Sequence, residues 1–340
     1  MHSIGVKDNF FEVGGQSLLA IRLMAQIHHT FGKNLPLAML FEAPTIEQLA
    51  DILRRQTDSL RWSPLVALQP RGSSRPFFCM PGAGGAVIYF HPLARRLGLD
   101  QPFYGLQARG LDGESAPHTR VEDIAAYNID ALQLIQPQGP YLLGGHSFGA
   151  WVAFEMAQQL RKRGHEVARL FILDATVPVF TDEPAPPDDA WVIAGIANIL
   201  ERLFGKNLEV SYDALQPLDP EEQLNYLRDR LQMAEVLPPE TGTKQVRGLV
   251  QVWKANYQTH YVPQEVVFPT RITLFQASKV NPEEAIGDDQ PSEILRDAAW
   301  GWGQFSEEPV EVHVIPGDHL TMMTEPYVQV LAERLKAYLN

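Results

Sequence analysis

The sequence predicts an α/β protein, in which a largely parallel sheet is wrapped by helices and preceded by a small all-α region. From Phe77 onward, short apolar runs alternate with segments of helical periodicity, which is the pattern of strand–helix–strand units. One of these runs, Tyr141–Leu143, leads into a Gly-x-Ser-x-Gly pattern at 145–149, and a helical period follows at once. The first 55 residues have helical periodicity only.

Composition narrows the class of protein. A chain of 340 residues exceeds one typical domain, so we expect one large and one small domain. Its 45% hydrophobic and 20% charged residues are typical of an ordinary globular protein. The net charge of -13, without a strong basic cluster, argues against nucleic-acid binding.

The cellular compartment is predicted from what the sequence lacks. No basic segment followed by an apolar core opens the chain, and no apolar run is long enough to span a bilayer. The single cysteine, Cys79, excludes an internal disulfide and fits a reducing compartment. We therefore expect a cytoplasmic protein without membrane association, with Cys79 in a buried strand rather than as a reactive thiol.

The all-α region contains two helix starts. Ser17 begins an apolar helical pattern that Gly32 and Pro36 end. Thr45-Ile46-Glu47-Gln48 is a capping-box pattern and predicts the start of a second helix. Residues 57–75 are rich in Ser, Pro, Arg and Gly and are the predicted linker, although its apolar segment Leu65–Leu68 is a candidate for the first strand of the next domain.

Beyond the linker, the elements follow in regular alternation. The predicted helices are Val87–Leu97, Val121–Ile135 and Pro326–Leu339. Besides the strand before Gly145, the predicted strands are Phe77–Met80, Pro102–Leu106, Arg169–Asp174, Arg271–Gln276 and Val310–Ile315.

One region interrupts this alternation, at about residues 180–262. It opens with Pro184, Pro186 and Pro187, and its helical patterns lie around Ala190–Phe204, Pro220–Glu235 and Lys244–Tyr261. An insertion of helices between two sheet strands predicts a lid over an active-site face. The alternative is a set of packing helices only.

The Gly-x-Ser-x-Gly pattern has the strand–turn–helix context of a nucleophile elbow. Ser147 would stand on a tight turn, with Gly145 and Gly149 leaving room for the helix to pass close to the strand. The bare pattern is expected about 0.1 times by chance in a chain of this length. Its interpretation therefore depends on partners in the order Ser, acid, His.

The partners are present. Asp174 ends the strand after the elbow unit, where a carboxylate can orient an imidazole, although a cap or turn residue is the simpler alternative. Asp288 and Asp289, after the next strand, are the rival acids. His319 lies in the Pro-Gly loop after the last strand, where an α/β-hydrolase carries its base, and we expect Asp318 to point elsewhere.

Two backbone amides are predicted to stabilise an oxyanion. The first is that of Phe148, directly after the nucleophile. The second comes from the loop Met80–Gly85, where we favour Gly82 over Ala83. This loop is rich in glycine but lacks the Lys-Ser/Thr of a P-loop, so a phosphate cradle is not indicated.

Four motifs carry a family resemblance: Pro-Gly-Ala-Gly-Gly at 81–85, Gly-Gly-His-Ser-Phe-Gly at 144–149, Leu-Asp-Ala-Thr-x-Pro at 173–178 and Pro-Gly-Asp-His at 316–319. From about Pro64 to the C-terminus, the chain resembles the type I thioesterase domains that terminate nonribosomal peptide and polyketide assembly lines. The resemblance implies an α/β-hydrolase fold with Ser147, Asp174 and His319 as the catalytic triad, Gly82 as an oxyanion donor and no metal.

The N-terminal region carries a second resemblance. Asp8-Asn9-Phe10-Phe11-x-x-Gly14-Gly15-x-Ser17-Leu18 resembles the thiolation motif of peptidyl carrier domains, although Gln16 replaces the usual His or Asp. The resemblance implies that Ser17 carries covalent 4′-phosphopantetheine, where the residues alone suggest a helix N-cap. Carrier domains are four-helix bundles, and only sixteen residues precede Ser17, so we expect a truncated carrier lacking its first helix.

Together the resemblances imply a carrier domain at 1–56, a linker at 57–75 and a thioesterase domain at 76–340, forming the C-terminal piece of a larger synthetase. Its implied function is release of an acyl or peptidyl chain by hydrolysis or macrocyclisation through an acyl-serine. The implied partners are upstream synthetase modules (condensation and adenylation domains or a ketosynthase) and a phosphopantetheinyl transferase. The alternatives are a stand-alone proofreading thioesterase or esterase with a non-functional carrier remnant, and a non-catalytic carrier or docking fragment.

Overall fold

The computed structural model describes residues 4–15, 17–33, 35–55, 62–178, 188–239, 241–263, 270–279 and 296–339. They divide into two compact units. The first comprises Met1–Ser63, Asp112–Glu114 and Asp188–Val250, and the second Pro64–Leu111, Ser115–Pro187 and Gln251–Asn340. Within these described ranges, no helix is both long and apolar enough to cross a membrane.

The described helices and strands follow in chain order: α1 Ser17–Phe31, α2 Met39–Glu42, α3 Ile46–Arg54, β1 Leu65–Gln69, β2 Phe77–Met80, α4 His91–Leu97, β3 Phe103–Leu106, α5 Val121–Leu132, β4 Tyr141–His146, α6 Phe148–Lys162, β5 Val167–Leu173, α7 Asp189–Phe204, α8 Tyr212–Leu215, α9 Pro220–Met233, α10 Thr243–Tyr257, β6 Arg271–Ala277, β7 Glu311–Ile315 and α11 Tyr327–Leu339.

The second unit is built on a sheet whose described strands lie in the order β1-β3-β2-β4-β5-β6-β7. Strand β1 is antiparallel to β3, and the other pairs are parallel. Every residue of β2, β3 and β4 is buried, because helices cover both faces of such a sheet and leave no polar side to alternate. The predicted parallel α/β sheet is confirmed, and the candidate strand at Leu65 is β1.

The start of α4 and the position of Cys79 can be compared with the predictions for this unit. The helix expected over Val87–Leu97 begins as a 3-10 turn, Ile88–Phe90, and becomes α-helical only at His91, with a proline in its first turn. Cys79 lies in β2 with no exposed surface, as expected, and this burial raises the pKa of its thiol.

The N-terminal part of the first unit contains α1, α2 and α3. Phe11 and Phe41 stack with ring centroids 4.7 Å apart and join the entry loop to α2, an element that the sequence did not predict. The capping box predicted at Thr45 is present at the start of α3, because Thr45 and Gln48 each bond the other's backbone N–H. These helices belong to the small all-α region that was expected.

The helical insertion supplies the rest of the first unit. The N-caps of α7, α8 and α9 are Asp188, Ser211 and Asp219, and the side chain of each accepts a hydrogen bond from the first turn of its helix. Arg22 of α1 donates from Nε to the carbonyl oxygen of Glu235, just after α9, at 2.8 Å. The insertion is therefore helical, as predicted, and it contacts α1; the prolines expected at its start lie outside the described residues.

Candidate active site

Ser147 stands between β4 and α6 with φ 55° and ψ -131°, a conformation that costs a non-glycine residue free energy. Its glycine neighbours are required by close packing. A Cβ on Gly145 would lie 2.0 Å from the carbonyl oxygen of Gly149, and one on Gly149 would lie 2.3 Å from that of Met80. The steric role predicted for both glycines is confirmed.

Contacts from two other segments hold the elbow. The Ser147 N–H donates to the carbonyl oxygen of Leu173 at the end of β5, at 3.0 Å. The glycine-rich loop after β2 passes directly beside the serine, since a Cβ on Gly82 would lie 3.3 Å from the Cβ of Ser147. The parallel pairing of β2, β4 and β5 thus brings the ends of three strands to the serine.

Asp174 follows β5, and its Oδ2 lies 2.8 Å from Nδ1 of His319 in the loop after β7. The carboxylate is fixed on its other side, where Oδ1 accepts from the Ala277 N–H at 2.5 Å. The Asp174 side chain is 9% exposed and that of His319 27%. Because the carboxylate can only accept from Nδ1–H, Nε2 of a neutral His319 is left as the basic nitrogen.

His319 is also connected to the elbow. Its ring stacks on that of His146, the residue before Ser147, with centroids 4.6 Å apart. The His146 Nε2 lies 2.9 Å from the His319 carbonyl oxygen. The structure therefore brings the three predicted triad residues to one end of the sheet.

The remaining acid candidates differ in outcome. Asp288 and Asp289 lie outside the described residues. Asp318, which was expected to point elsewhere, accepts from the N–H groups of Leu320 and Thr321 through Oδ1, at 3.2 and 2.8 Å. It caps its own turn.

The structure gives Gly82, the favoured second oxyanion donor, a hydrogen-bond partner. Its N–H donates to the Tyr89 hydroxyl oxygen at 2.9 Å, so the favoured second donor is already engaged. The alternative, Ala83, is the next residue of the same loop, and its carbonyl oxygen accepts from Asn256 Nδ2 at 2.8 Å. Phe148 is the first residue of α6, where backbone N–H groups have no partner within the helix, so its assignment stays as predicted.

Sequence reasoning missed Tyr89, His146 and Asn256 as parts of this site. Of the three, only His146 lies in a sequence motif, that of the elbow, and could have been considered from the sequence. It is 3% exposed, and burial lowers the pKa of its imidazole to about 3, with a smaller contribution from the neighbouring His319. Tyr89 and Asn256 belong to no recognisable motif, and the tertiary fold brings them to the glycine-rich loop.

Across the ranges that the structure describes, no cluster of three or more His, Cys, Asp or Glu side chains could hold a metal ion. The start of α1 at Ser17 fits a phosphodiester. The first-turn N–H groups of a helix lack internal partners, and α1 has no acidic residue in its first turn to repel an anion.

Comparison with known families agrees with this geometry. The family model described as "Thioesterase domain" matches residues 75–338. The chain belongs to the thioesterase family. A second model, "Phosphopantetheine attachment site", matches residues 1–53, so this thioesterase is preceded by a carrier region for covalent 4′-phosphopantetheine.

Two curated relatives align with nearly the whole chain. Chondramide synthase from Chondromyces crocatus is 33% identical over 349 residues, covering 98% of this thioesterase chain and 8% of the synthase. Indigoidine synthase from Dickeya dadantii (strain 3937) is 32% identical over 334 residues, covering 96% of the chain and 21% of the synthase. The chain thus spans a small part of the length of both relatives.

Among solved structures, a holo four-domain nonribosomal peptide synthetase bound to AMP and glycine is similar at a TM-score of 0.73 and 28% identity, covering 98% of this chain and 24% of that one. The similarity therefore includes the carrier and thioesterase regions together.

Proposed function

We propose that this thioesterase releases an acyl or peptidyl chain from its carrier through a covalent intermediate on Ser147. The observation that supports the proposal is the 2.8 Å hydrogen bond between Asp174 and His319, next to a serine in the strained elbow conformation. A histidine oriented by a buried carboxylate, beside such a serine, is the arrangement of an activated nucleophile.

The first half-reaction is acylation. His319 Nε2 takes the proton of the Ser147 hydroxyl as its oxygen attacks the thioester carbonyl carbon. The N–H groups of Phe148 and Ala83 stabilise the resulting oxyanion. When the tetrahedral intermediate collapses, the carbon–sulfur bond breaks and the proton on His319 passes to the departing thiolate.

The second half-reaction frees the enzyme. His319 removes a proton from water, or from a hydroxyl or amine within the bound chain, and that nucleophile attacks the acyl-serine carbonyl. The Ser147 oxygen leaves and takes its proton back from His319. Water gives a linear acid, and an internal nucleophile gives a macrocycle.

Ser17 is the proposed attachment point of the 4′-phosphopantetheine. When attached, this group supplies a thiol that carries the chain as a thioester. The helix dipole and first-turn amides of α1 would stabilise the phosphodiester. A substrate tethered in this way reaches a high effective concentration, so its intrinsic affinity for the thioesterase can be weak. Upstream synthetase modules would deliver the chain, and a phosphopantetheinyl transferase would load the arm.

An active-site fluorophosphonate tests the nucleophile. We expect it to modify the wild-type protein once, at the peptide containing Ser147, as read by mass spectrometry, and to leave the Ser147→Ala variant unmodified. The labelled protein should no longer hydrolyse a pantetheine thioester. Turnover that survives complete labelling, or label on another residue, would contradict the proposal.

The attachment site is tested separately. A broad-specificity phosphopantetheinyl transferase with coenzyme A should add one phosphopantetheine mass to the wild-type chain and none to Ser17→Ala. A folded wild-type protein that gains no mass would remove Ser17 from the proposal but leave the Ser147 chemistry intact.

A further inference from the structure

A series of hydrogen bonds runs beneath the proposed triad. The Gly82 N–H lies 2.9 Å from the Tyr89 hydroxyl oxygen. That oxygen lies 3.1 Å from Nδ1 of His146, and Nε2 of His146 lies 2.9 Å from the His319 carbonyl oxygen. The series joins the glycine-rich loop after β2, the end of β4 and the loop after β7, which are separate in sequence.

The chemistry at its two ends sets the direction of every hydrogen bond in the series. A carbonyl oxygen can only accept, so Nε2 of His146 must carry the hydrogen that reaches His319. In a neutral imidazole the other nitrogen then accepts, so the Tyr89 hydroxyl donates to Nδ1. The Tyr89 oxygen is left to accept from the Gly82 N–H. Each donor in the series thereby has an acceptor, and each acceptor has a donor.

This arrangement requires His146 to stay neutral, because a protonated imidazole would present two N–H groups and leave the Tyr89 hydroxyl without an acceptor. The titratable groups facing His146 are Tyr89, His319 and Asp174. Burial holds the pKa of His146 at about 3, far below the ordinary value. The neutral form is therefore the one present near neutral pH.

We propose that Tyr89 and His146 are positioning residues that hold the oxyanion loop and the catalytic histidine in place on either side of Ser147. The inference rests on the proposed triad. Tyr89 engages the Gly82 amide and so fixes the loop whose next amide, that of Ala83, is the second oxyanion donor. His146 directly precedes Ser147 and anchors the backbone of His319, while Asp174 fixes the other side of its ring.

An apolar pair could not perform this role. Without Tyr89 and His146, the Gly82 N–H and the His319 carbonyl would be left in a partly buried site without these partners, which costs free energy and favours movement of both loops. Catalytic geometry tolerates little movement of this kind, since a shift of about 1 Å can cost about a hundredfold in rate.

Tyr89→Phe is the first test, because it removes one oxygen and keeps the ring. We expect kcat on a pantetheine thioester to fall, by up to about a hundredfold, with KM little changed. The rate of fluorophosphonate labelling should fall by the same factor. The matched control is Tyr141→Phe, which removes a hydroxyl that donates to the Gln136 carbonyl at 3.1 Å, at the opposite end of β4. Equal kcat values for the two variants would overturn the proposal.

Replacement of His146 by glutamine and by leucine separates hydrogen bonding from packing. Glutamine offers one donor and one acceptor, and leucine offers neither. We expect His146→Gln to keep clearly more kcat than His146→Leu, when both are compared at a temperature where both are folded by circular dichroism. Equal loss in the two variants would show that His146 only fills space.

The direction of the series has its own spectroscopic signature. Long-range 1H–15N spectra of the histidine-labelled protein should show His146 as the Nε2–H tautomer, with no titration between about pH 5 and 8. In Tyr89→Phe, the Nδ1 signal should move toward that of an acceptor without a donor. The Nδ1–H tautomer in the wild type would reverse the series and overturn the inference.

These outcomes remain distinguishable from failure of the triad itself. If Ser147→Ala keeps its turnover, the proposed function fails and the positioning role fails with it. If the wild type is labelled at Ser147 while Tyr89→Phe behaves like Tyr141→Phe, the triad stands and only the positioning role is lost.

Discussion

Ser17 and Ser147 stand in similar local settings and serve different proposed roles. Each lies at the start of a 15-residue helix, Ser17 as the first residue of α1 and Ser147 as the N-cap of α6. At both starts, free amides and the helix dipole favour negative charge. The same feature would stabilise a phosphodiester at Ser17 and, through the Phe148 amide, an oxyanion beside Ser147.

The two serines differ in how far away in the sequence the residues lie that shape their turns. A Cβ on Gly15 would meet the ring and carbonyl of Phe10, in the same loop. A Cβ on Gly149, in α6, would meet the carbonyl of Met80, in β2. The loop before Ser17 is therefore shaped by its own neighbours, and the Ser147 elbow by the parallel sheet. A nucleophile needs partners from several strands, whereas an attachment site needs only an accessible helix start.

The largest expected effect comes from crossing the two serine substitutions with two substrates. Ser147→Ala should abolish turnover of both a free pantetheine thioester and a carrier-loaded chain, a loss on the order of a millionfold where measurable. Ser17→Ala should leave turnover of the free thioester unchanged and abolish only release of the loaded chain. Product is read by mass spectrometry. A loss on the free thioester in Ser17→Ala would break the separation of roles.

The second prediction compares the same change, glycine to alanine, in the two units. Gly145→Ala would push a Cβ to 2.0 Å from the carbonyl of Gly149, and we expect it to destabilise the thioesterase unit by about 3 kcal/mol or more. Gly32, which ends α1 at φ 66°, has no heavy atom within 4 Å of the position that a Cβ would take, so Gly32→Ala should cost only about 1–2 kcal/mol for its left-handed backbone.

Urea unfolding monitored by fluorescence and by activity measures both variants. In Gly145→Ala, the unfolding transition in which activity is lost should disappear. In Gly32→Ala, that transition should remain. Equal effects would show that the close approach at the elbow relaxes, contrary to the steric account of its glycines.

The same contrast explains which features the sequence could predict. The elbow, the acid after β5 and the histidine after β7 are each marked by a local motif at a strand end, and parallel strands bring such ends together whatever the remaining sequence. The capping box at Thr45 is likewise local. These features follow from short-range patterns together with one topological rule.

The features that were missed depend on tertiary packing. Gly82 and Tyr89, whose N–H and hydroxyl form a hydrogen bond, lie close together in the sequence. The bond nevertheless depends on the Tyr89 ring being held against His146 of β4. Asn256 reaches Ala83 only because the C-terminal end of α10 passes close to the glycine-rich loop. Hydrogen bonds between side chains and a loop backbone leave no period or spacing in the sequence, so the choice between Gly82 and Ala83 could not be made there.

The third prediction is that the stability of the thioesterase unit falls at acidic pH because of His146. The pKa of His146 is about 3 in the folded protein and about 6.5 when unfolded, so its contribution to stability is complete above about pH 6.5 and is lost as the pH falls toward 3. Between pH 7 and 5 this one group should remove about 2 kcal/mol from the free energy of unfolding of the thioesterase unit.

The comparison with His146→Gln isolates this contribution, since glutamine does not titrate. The variant is expected to be less stable at pH 7, but its loss between pH 7 and 5 should be smaller than that of the wild type by about 2 kcal/mol. Urea unfolding at the two pH values measures the difference. Parallel losses in the two proteins would mean that His146 is not held neutral by the fold.

The smallest expected effect tests the local character of the carrier region. Thr45→Ala removes the side chain that accepts from the Gln48 N–H at the start of α3, and we expect a local loss of about 1 kcal/mol, read as faster amide exchange in Ile46–Arg54. Thr45→Ser keeps the hydroxyl and should exchange almost like the wild type. Neither variant should change turnover of a free pantetheine thioester, because the proposed triad lies at the strand ends of the other unit. A fall in that turnover in Thr45→Ala alone would show that the carrier helices support the thioesterase site, and the two serines would then belong to one cooperative structure.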